Sequence, residues 1–550
     1  MIKKFNYSNK TIKSYLDKIG TQISIKKNEY ICKKDQEALS FFILLKGQVS
    51  IYQGKDNYLK LEKGSLFGEM SIFFSERRTT DVTAISNVDL LSVPTNIFMR
   101  DVLKQEKVAI NILQFLGSIM MERIQQYEHN LLNQLNPDDD ETQKIHKLKE
   151  LLISEWALKY HNIGKAGKIE IIANKPSSST EDLAICYSPG VAKPCQEIHK
   201  NPNKAYDYTS KGHLVGVISN GSAVLGLGNL GPLASKPVME GKAILFKKFA
   251  DIDAFDIEIN ENNPEKLVDI ICSLEPTFGG INLEDIKSPE CFYIEQEVQK
   301  RLSIPVFHDD QHGTAIIVAA GILNATKLTK KKLNTLKIVF SGIGAAGYTC
   351  AKYLLNFGIS KEQIIMTDID GVLYKGREKE EKYFDDLAQS TSLRTLKQAI
   401  EGADIFIGLS KGNILTTSML KSMAENPIIF ALANPIPEIN VATAIDTRKD
   451  LIIATGRSDY PNQVNNVLAF PYLFKGALAV QSNCINLEMK IAATKAIADL
   501  VHYQSSNKEL KHLKFGKNYI IPKPHDPRLA EKVTKAVADA AIKSSVSKTI

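Results

Sequence analysis

The run Gly342-Ile-Gly344-Ala-Ala-Gly347 constrains the fold of this chain more than any other segment. It follows LKIVFS, which reads as a buried strand, and leads into AAGYTCAKYLLNFG, a proline-free helical pattern stopped at Gly358. A second strand pattern, QIIMTD, ends at Asp368. Glycines in this spacing permit a tight turn and bring the backbone close to a pyrophosphate, while the helix start offers free N–H groups and partial positive charge. The segment predicts a dinucleotide site at Gly342, Gly344, Ala345, Ala346 and Gly347, with Asp368 on the ribose hydroxyls. A carboxylate there repels a 2′-phosphate, so NAD is expected over NADP, although Lys375 and Arg377 are near enough in sequence to compensate. A second GxGxxG run, Gly226 to Gly231, is followed by Pro232 and Pro237. Proline inside a helix start removes a backbone donor and clashes with the preceding turn, so this run is expected to be a structural glycine turn near the substrate.

At 550 residues the chain has room for about three or four domains. Residues from about 20 to 98 read as many short strands punctuated by Gly47, Gly54 and Gly64. From about Pro94 to Asn133 the pattern is helical, with an apolar stripe at Ile110, Ile112, Leu113, Leu116 and Ile119. The polar stretch NQLNPDDDETQK has nothing to bury and reads as a linker. From about residue 145 helix and strand patterns alternate, which predicts α/β units on a largely parallel sheet.

The net charge of +7 is a weak field over so long a chain and argues against a nucleic-acid partner. The longest nearly apolar run, Val108 to Met121, is too short to span a bilayer, so no membrane partner is expected. The opening MIKKFNYSNK lacks the apolar core of a secretory signal. The cysteines are scattered, without CxxC or Cys/His ligand spacing, which fits free thiols in a reducing compartment and a cytoplasmic location.

Two acidic pairs end apolar segments in the α/β region. Glu284-Asp285 lies in INLEDI, and Asp309-Asp310 lies in VFHDDQHGTA. Adjacent carboxylates are ordinarily just solvated. Loops at strand ends carry function in such folds, and oxygen-only ligands suit Mg²⁺ or Mn²⁺. His308 and His312 read as hydrogen-bonding partners outside the ligand set. Tyr187, in CYSPGVAKP, lies in a turn-like segment that it would anchor. Lys242, in MEGKAILFKK, is an ordinary surface lysine unless it is partly desolvated beside a cation, where it would shed its proton more readily.

Taken in order, YSPGVA, GLGNLGPLASKPVMEGKAILFKKFADIDAFDIEI, INLEDI, FHDDQHGTA, SGIGAAG, ALANPIPEI and GRSDYPNQVNNVLAFPYLFKGAL resemble the malic enzymes, particularly the shorter prokaryotic kind. The resemblance runs from about residue 150 to near the C-terminus. It implies oxidative decarboxylation of malate to pyruvate and CO₂ with reduction of NAD(P)⁺. Tyr187 would be the general acid and Lys242 the general base. Glu284, Asp285 and Asp310 would be the ligands of Mg²⁺ or Mn²⁺, with Asp309 beside them. Asn434 and Asn466 would hold the substrate carboxylate and the nicotinamide end of the cofactor. A homo-oligomer is expected on the same ground. Larger eukaryotic-type enzymes carry a carboxylate-binding arginine just before the glycine run, where this chain has Ala223-Val224. A malolactic-type enzyme and a sensing scaffold with an inactive catalytic half are the alternatives.

Nearer the N-terminus, FGEMSIFFSERRTTDVTA resembles the phosphate-binding cassette of cyclic-nucleotide-binding domains. It implies a β-roll with flanking helices, with Glu69 accepting from the ribose and Arg78 pairing with the cyclic phosphate. The backbone at Gly68, Thr79 and Thr80 would donate further bonds. The expected fold is therefore multidomain. Residues 1–132 form the β-roll domain with a helical stalk, 133–148 a linker, 149–312 an α/β substrate and metal domain, and 313–550 a Rossmann-type NAD(P)-binding domain with C-terminal helices. The simplest regulatory expectation is that cAMP or cGMP acts on malate turnover.

Overall fold

The computed structural model describes residues 9–103 apart from 34–35, 37–38, 53–57, 69–77 and 79; residues 108–109, 112, 156–158 and 160–162; and residues 165–548 apart from 225–226, 378–381, 435, 458–459, 506 and 508–509. The chain divides into two units, 1–167 and 168–550. Most of the expected stalk, and all of the expected linker at 133–148, lie outside the described residues.

In the first unit, eight strands follow the short helix Lys10–Ile19: β1 (Thr21–Ile25), β2 (Tyr30–Cys32), β3 (Ser40–Lys46), β4 (Gln48–Tyr52), β5 (Tyr58–Glu62), β6 (Leu66–Phe67), β7 (Val82–Ala84) and β8 (Val88–Pro94). They form two antiparallel four-stranded sheets, ordered β1-β8-β3-β6 and β2-β7-β4-β5. The unbroken apolar run of β3 is explained by burial on both faces. Phe41 and Ile43 enter one core with Leu16, Leu91, Val93 and Phe98. Phe42 and Leu44 enter the other with Val49, Leu61, Phe67 and Leu90. Strand side chains alternate between faces, so a run without alternation needs apolar cover on each side.

The second unit holds two parallel sheets. The smaller has the order β10-β9-β11-β12, built from β9 (Leu214–Ser219), β10 (Asp253–Glu258), β11 (Gly280–Leu283) and β12 (Val306–His308). The larger contains β13 (Ile338–Ser341), β14 (Ile364–Asp368), β15 (Gly371–Val372), β16 (Ile405–Gly408), β17 (Ile428–Ala431) and β18 (Ile452–Thr455). Its order is β15-β14-β13-β16-β17-β18, parallel except for the β15 edge. The strand order reverses between β13 and β16, the crevice where open α/β sheets bind ligands. Strands β13, β16, β17 and β18 are buried along their length, as a parallel sheet covered on both faces requires.

The helix Asp309–Thr329 joins the two sheets. It is apolar nearly all round and buried over most of its length, from Ala315 to Ala320 without a break. A helix of that kind belongs in a core. It packs into one continuous core with Phe246, Phe307, Phe470 and Phe474, whose rings meet edge to face. Its two N-terminal acids lie where the helix dipole favours negative charge. Among the described residues, no helix is long and apolar enough to cross a membrane.

The second glycine run forms a hydrogen-bonded turn, with Gly226 outside the described residues. The N–H groups of Leu230 and Gly231 donate to Gly221 O, and Gly231 adopts φ +79° immediately before the helix Pro232–Leu245. The prolines do not prevent that helix. Pro232 occupies its first turn, where the missing N–H has no partner to lose. Pro237 is accommodated inside it, and the ammonium of Lys168 donates to the Pro237 carbonyl.

Candidate active site

Four acids and one lysine converge where β11 and β12 end. The two strands pair in parallel, with Leu283 opposite His308, so the residues that follow each strand emerge side by side. Glu284 and Asp285 follow β11. Asp309 and Asp310 open the long helix after β12. Ligand atoms of Glu284, Asp285 and Asp310 lie within 4.8 Å of one another. Asp285 holds the left-handed conformation, φ 53°, and its N–H donates to Asp310 Oδ2 at 2.9 Å. A non-glycine residue in that region is uncommon, and the surrounding turn enforces it.

Lys242, from the helix Pro232–Leu245, enters the same cluster. Its buried Nζ lies 2.6 Å from Asp309 Oδ2 and 2.8 Å from Glu284 Oε1. It also sits 4.3 Å above the Phe470 ring. Burial alone would depress its pKa, but the Asp309 and Glu284 carboxylates outweigh that and hold the ammonium proton more tightly than usual. The sequence-based expectation, that desolvation beside a cation would loosen the proton, did not include these two carboxylates. Burial pushes the Glu284 carboxyl well above its ordinary range, and Asp310, Asp309 and Asp285 push it further, against the pull of Lys242. Four carboxylates face one ammonium, and a dication held by Glu284, Asp285 and Asp310 would relieve that excess.

Asp309 is fully buried and organises the cluster. Besides Lys242, its Oδ2 accepts from Asn466 Nδ2 at 3.1 Å. Its Oδ1 fills the space beside Gly313, where an added Cβ would approach to 2.0 Å. Asn466 Oδ1 in turn accepts from Thr314 at 3.2 Å. Asn466 thus stands beside the acids, while Asn434 lies exposed in the loop beyond β17, with its amide beside Gly456.

Sequence reasoning missed several supports. Asn282 Nδ2 donates to Glu284 Oε2 at 2.8 Å from inside β11, where nothing in the pattern marks it. Glu295 accepts from the His308 N–H at 3.1 Å and lies 3.0 Å from His312 Nε2. Burial would raise Glu295, but His312, Lys490 and His308 bring its carboxyl down to about 2. His312 is therefore the hydrogen-bonding partner expected. Neither ring nitrogen of buried His308 has a hydrogen bond among the described residues.

The dinucleotide turn lies after β13. Gly342 takes φ +108°, and a Cβ there would meet Leu409 O at 2.5 Å. A Cβ on Gly347 would meet Gly342 O at 2.0 Å, so only glycine lets the helix Ala345–Leu354 pack this closely. The Cβ position of Gly344 faces open space. This cradle fits a pyrophosphate approaching the helix start. Thr349 on that helix donates to Gln311 Oε1 at 3.3 Å, so the nucleotide helix touches the residue next to Asp310. Asp368 ends β14 as expected, but its Oδ1 accepts from Arg377 Nη2 at 2.6 Å.

Tyr187 stands apart from this cluster. It caps the helix Thr180–Cys186 and is 75% exposed. In the first unit, Arg78 is buried, lies 4.9 Å over the Phe42 ring and donates to Ser40 O at 2.6 Å. Gly68 takes φ +77°, and a Cβ there would meet Arg78 Nη1 at 2.7 Å. Thr80 is half-buried, while Glu69 and Thr79 lie outside the described residues.

Comparison with known proteins accords with this geometry. Residues 166–299 match the family described as malic enzyme, N-terminal domain, and residues 311–514 match malic enzyme, NAD binding domain. Residues 22–105 match the cyclic nucleotide-binding domain. The NADP-dependent malic enzyme of Escherichia coli K12 is 54% identical over 408 residues, which cover 72% of this chain and 53% of that protein. This chain therefore spans about half the length of that relative. The NADP-dependent malic enzyme of Halomonas elongata is 51% identical over 397 residues, covering 71% of this chain and 94% of that protein. The crystal structure of malic enzyme from Pyrococcus horikoshii Ot3 superposes with a TM-score of 0.67 at 43% identity, covering 72% of this chain and 92% of that one. With a relative matched over nearly its whole length and both catalytic-region families in register, this chain belongs to the malic enzyme family.

Proposed function

We propose that this protein converts malate to pyruvate and CO₂ with reduction of NAD(P)⁺. One observation carries the reading: the Lys242 ammonium lies between Asp309 and Glu284, at the edge of a three-carboxylate cluster and one side-chain contact from the dinucleotide helix. Bound Mg²⁺ or Mn²⁺ on Glu284, Asp285 and Asp310 would polarise the C2 oxygen as a Lewis acid, and NAD(P)⁺ would accept the hydride. A dication there would weaken the attraction of Glu284 for the Lys242 proton, leaving Asp309 as its partner, and would so favour the buried amine as a base. Lys242 Nζ accepts the C2 hydroxyl proton as the C2 hydride leaves. The C3–C4 bond of the oxaloacetate then breaks, CO₂ departs, and the electron pair becomes an enolate. Tyr187 delivers a proton to C3, and the proton taken by Lys242 restores the phenol, so the proton inventory closes within the site. Asp309 fixes the direction of Lys242 and Asn466 together, and Asn466 and Asn434 hold the carboxylate and the nicotinamide end.

An assembly would bring the exposed Tyr187 to the site. The helices Thr180–Cys186 and Ala192–Lys200 bury no residue. Helices of 7 and 9 residues do not persist on propensity alone. Ile171, Ile172, Leu183, Ile185 and Val191 are exposed on the same segment, as are Leu227, Leu230 and Leu233 beside the start of the Lys242 helix. Both surfaces expect apolar cover. A homo-oligomer in which a second copy presents its Tyr187 to this Lys242 satisfies both.

For the cofactor, the charge of Asp368 is offset by Arg377, which weakens the repulsion of a 2′-phosphate and favours acceptance of NADP as well as NAD. For the N-terminal unit, Arg78 is the anion partner for cAMP or cGMP, whose binding alters malate turnover in the second unit.

Five measurements check these readings. Lys242→Ala lowers malate oxidation by about 10²–10⁴-fold, followed by NAD(P)H absorbance, while Asp310→Asn weakens Mn²⁺ binding in a spin-resonance titration. Tyr187→Phe and Lys242→Ala chains, each inactive alone, regain about a quarter of the wild-type rate when co-expressed, because half of the random pairs carry one intact site; no recovery would place both residues in one chain. Arg377→Ala lowers kcat/KM for NADP about tenfold relative to NAD, by exposing the 2′-phosphate to Asp368. Saturating cAMP or cGMP shifts the malate saturation curve of the wild type, and the shift disappears in Arg78→Ala.

A further inference from the structure

Glu438 belongs to neither charge cluster described above, yet it is one of the most enclosed acids in the second unit. Its side chain is fully buried, in the loop that follows β17. Oε1 accepts from the Ser410 N–H at 3.2 Å, and Oε2 accepts from the Ala433 N–H at 3.1 Å. Those two donors lie on the loops that leave the C-terminal ends of β16 and β17. The carboxyl rests directly on Gly408, the last residue of β16, where a Cβ would meet Glu438 Cδ at 2.2 Å. The main chain around it adds two ties: Leu415 N donates to Glu438 O at 2.9 Å, and Asn413 N donates to Pro437 O at 3.0 Å.

Both loops border the dinucleotide crevice. Ser410 shares a hydroxyl hydrogen bond of 2.9 Å with Ser341, the residue before Gly342. Leu409 N donates to Ser341 O at 2.8 Å, and Leu409 O is the atom against which Gly342 packs. Ala433 is followed directly by Asn434. We propose that Glu438 is a positioning residue for the dinucleotide, whose carboxylate clamps the β16 and β17 loops so that the Gly342 turn and Asn434 face one crevice. The proposal rests on the dinucleotide reading of the Gly342 to Gly347 turn. Glu438 touches no ligand itself and acts through Ser410 and Ala433.

The chemistry of the clamp requires a carboxylate. Burial pushes the Glu438 carboxyl up to about 7, against the backbone N–H groups that lower it; above that pH both oxygens of the ionised acid accept, and two convergent backbone N–H groups need two acceptors. A glutamine of the same volume offers one acceptor and one donor, so its NH₂ must oppose either Ser410 N or Ala433 N and release that loop. Burial and volume are kept, and only the second acceptor is lost. If Glu438 did no more than fill space, this exchange would lower the melting temperature and leave ligand affinity untouched.

The test is a fluorescence titration of NADPH and NADH into the full-length protein without divalent metal, for wild type and Glu438→Gln. The expected result is a Kd about tenfold higher in the variant, with the dinucleotide KM raised by a similar factor and kcat changed less than about threefold. Mn²⁺ affinity stays at the wild-type value. A variant Kd within about twofold of wild type overturns the clamp, whatever happens to the melting temperature. Should Glu438→Gln fail to fold, Glu438→Asp serves, since it keeps the charge but reaches only one loop; an unchanged Kd there overturns the clamp equally. Wild-type protein that binds neither dinucleotide overturns the underlying reading and the clamp with it, whereas wild-type binding with an unaltered variant overturns the clamp alone.

Discussion

The buried contact between the Lys242 ammonium and the carboxylates of Asp309 and Glu284 is the interaction on which the second unit depends. Removing charges from water is costly, and pairing recovers that cost only with close geometry and satisfied neighbours. Here the geometry comes from three separate elements: the helix Pro232–Leu245, the end of β11 and the start of the helix Asp309–Thr329. None of them can shift without leaving a charge unpaired. The surplus of negative charge that remains is equally informative. Glu284, Asp285 and Asp310 crowd within 4.8 Å, and a stable core would not gather acids in this way without positive charge to meet them.

The helix Asp309–Thr329 makes this cluster and the dinucleotide crevice parts of one apparatus. Its first turn carries Asp309 and Asp310. The next residue, Gln311, meets Thr349 on the helix that starts at Gly344. One turn on, Thr314 meets Asn466. The body of the helix is buried against the core shared by both sheets, so these first-turn residues are held by packing rather than by loop conformation. Precision at a site built on a rigid element is easier to maintain than on a loop. Glu438 has the corresponding task on the other side of the crevice, where the elements really are loops and a carboxylate has to tie them.

Much of this was legible in the sequence, for identifiable reasons. The spacing of Gly342, Gly344 and Gly347 reports a close backbone approach that only glycine tolerates, and the structure has that approach at both ends of the run. The acidic pairs Glu284-Asp285 and Asp309-Asp310 were visible because each ends an apolar strand, and parallel pairing then brings strand ends together. Local patterns are silent where the determinant is tertiary. Pro237 argued against a helix that forms nonetheless, because packing outweighs one lost backbone bond. Lys242 was expected to lose its proton easily only beside a cation, and the carboxylates that hold the proton come from residues 42 and 67 positions further along the chain. Asn282, Phe470 and Glu438 lie inside the quoted segments without a chemical signature of their own; Phe470 and Glu438 matter through partners distant in sequence.

The first unit poses a different energetic problem, that of a charge kept ready for an anion. Arg78 is buried with its guanidinium over Phe42 and bonded to the neutral carbonyl of Ser40. An arginine cannot discard its charge, so burial demands that its donors be met. The Ser40 carbonyl meets part of that demand. On the proposed reading a cyclic phosphate would compete with the acceptors already on the guanidinium, and only the difference between the two sets would be available to drive a change of conformation. On the proposed reading, movement of Arg78 toward a phosphate would be felt at Gly68, which packs against the same guanidinium directly after β6. A response in turnover would then be drawn from that limited difference, which favours graded modulation over an all-or-none switch.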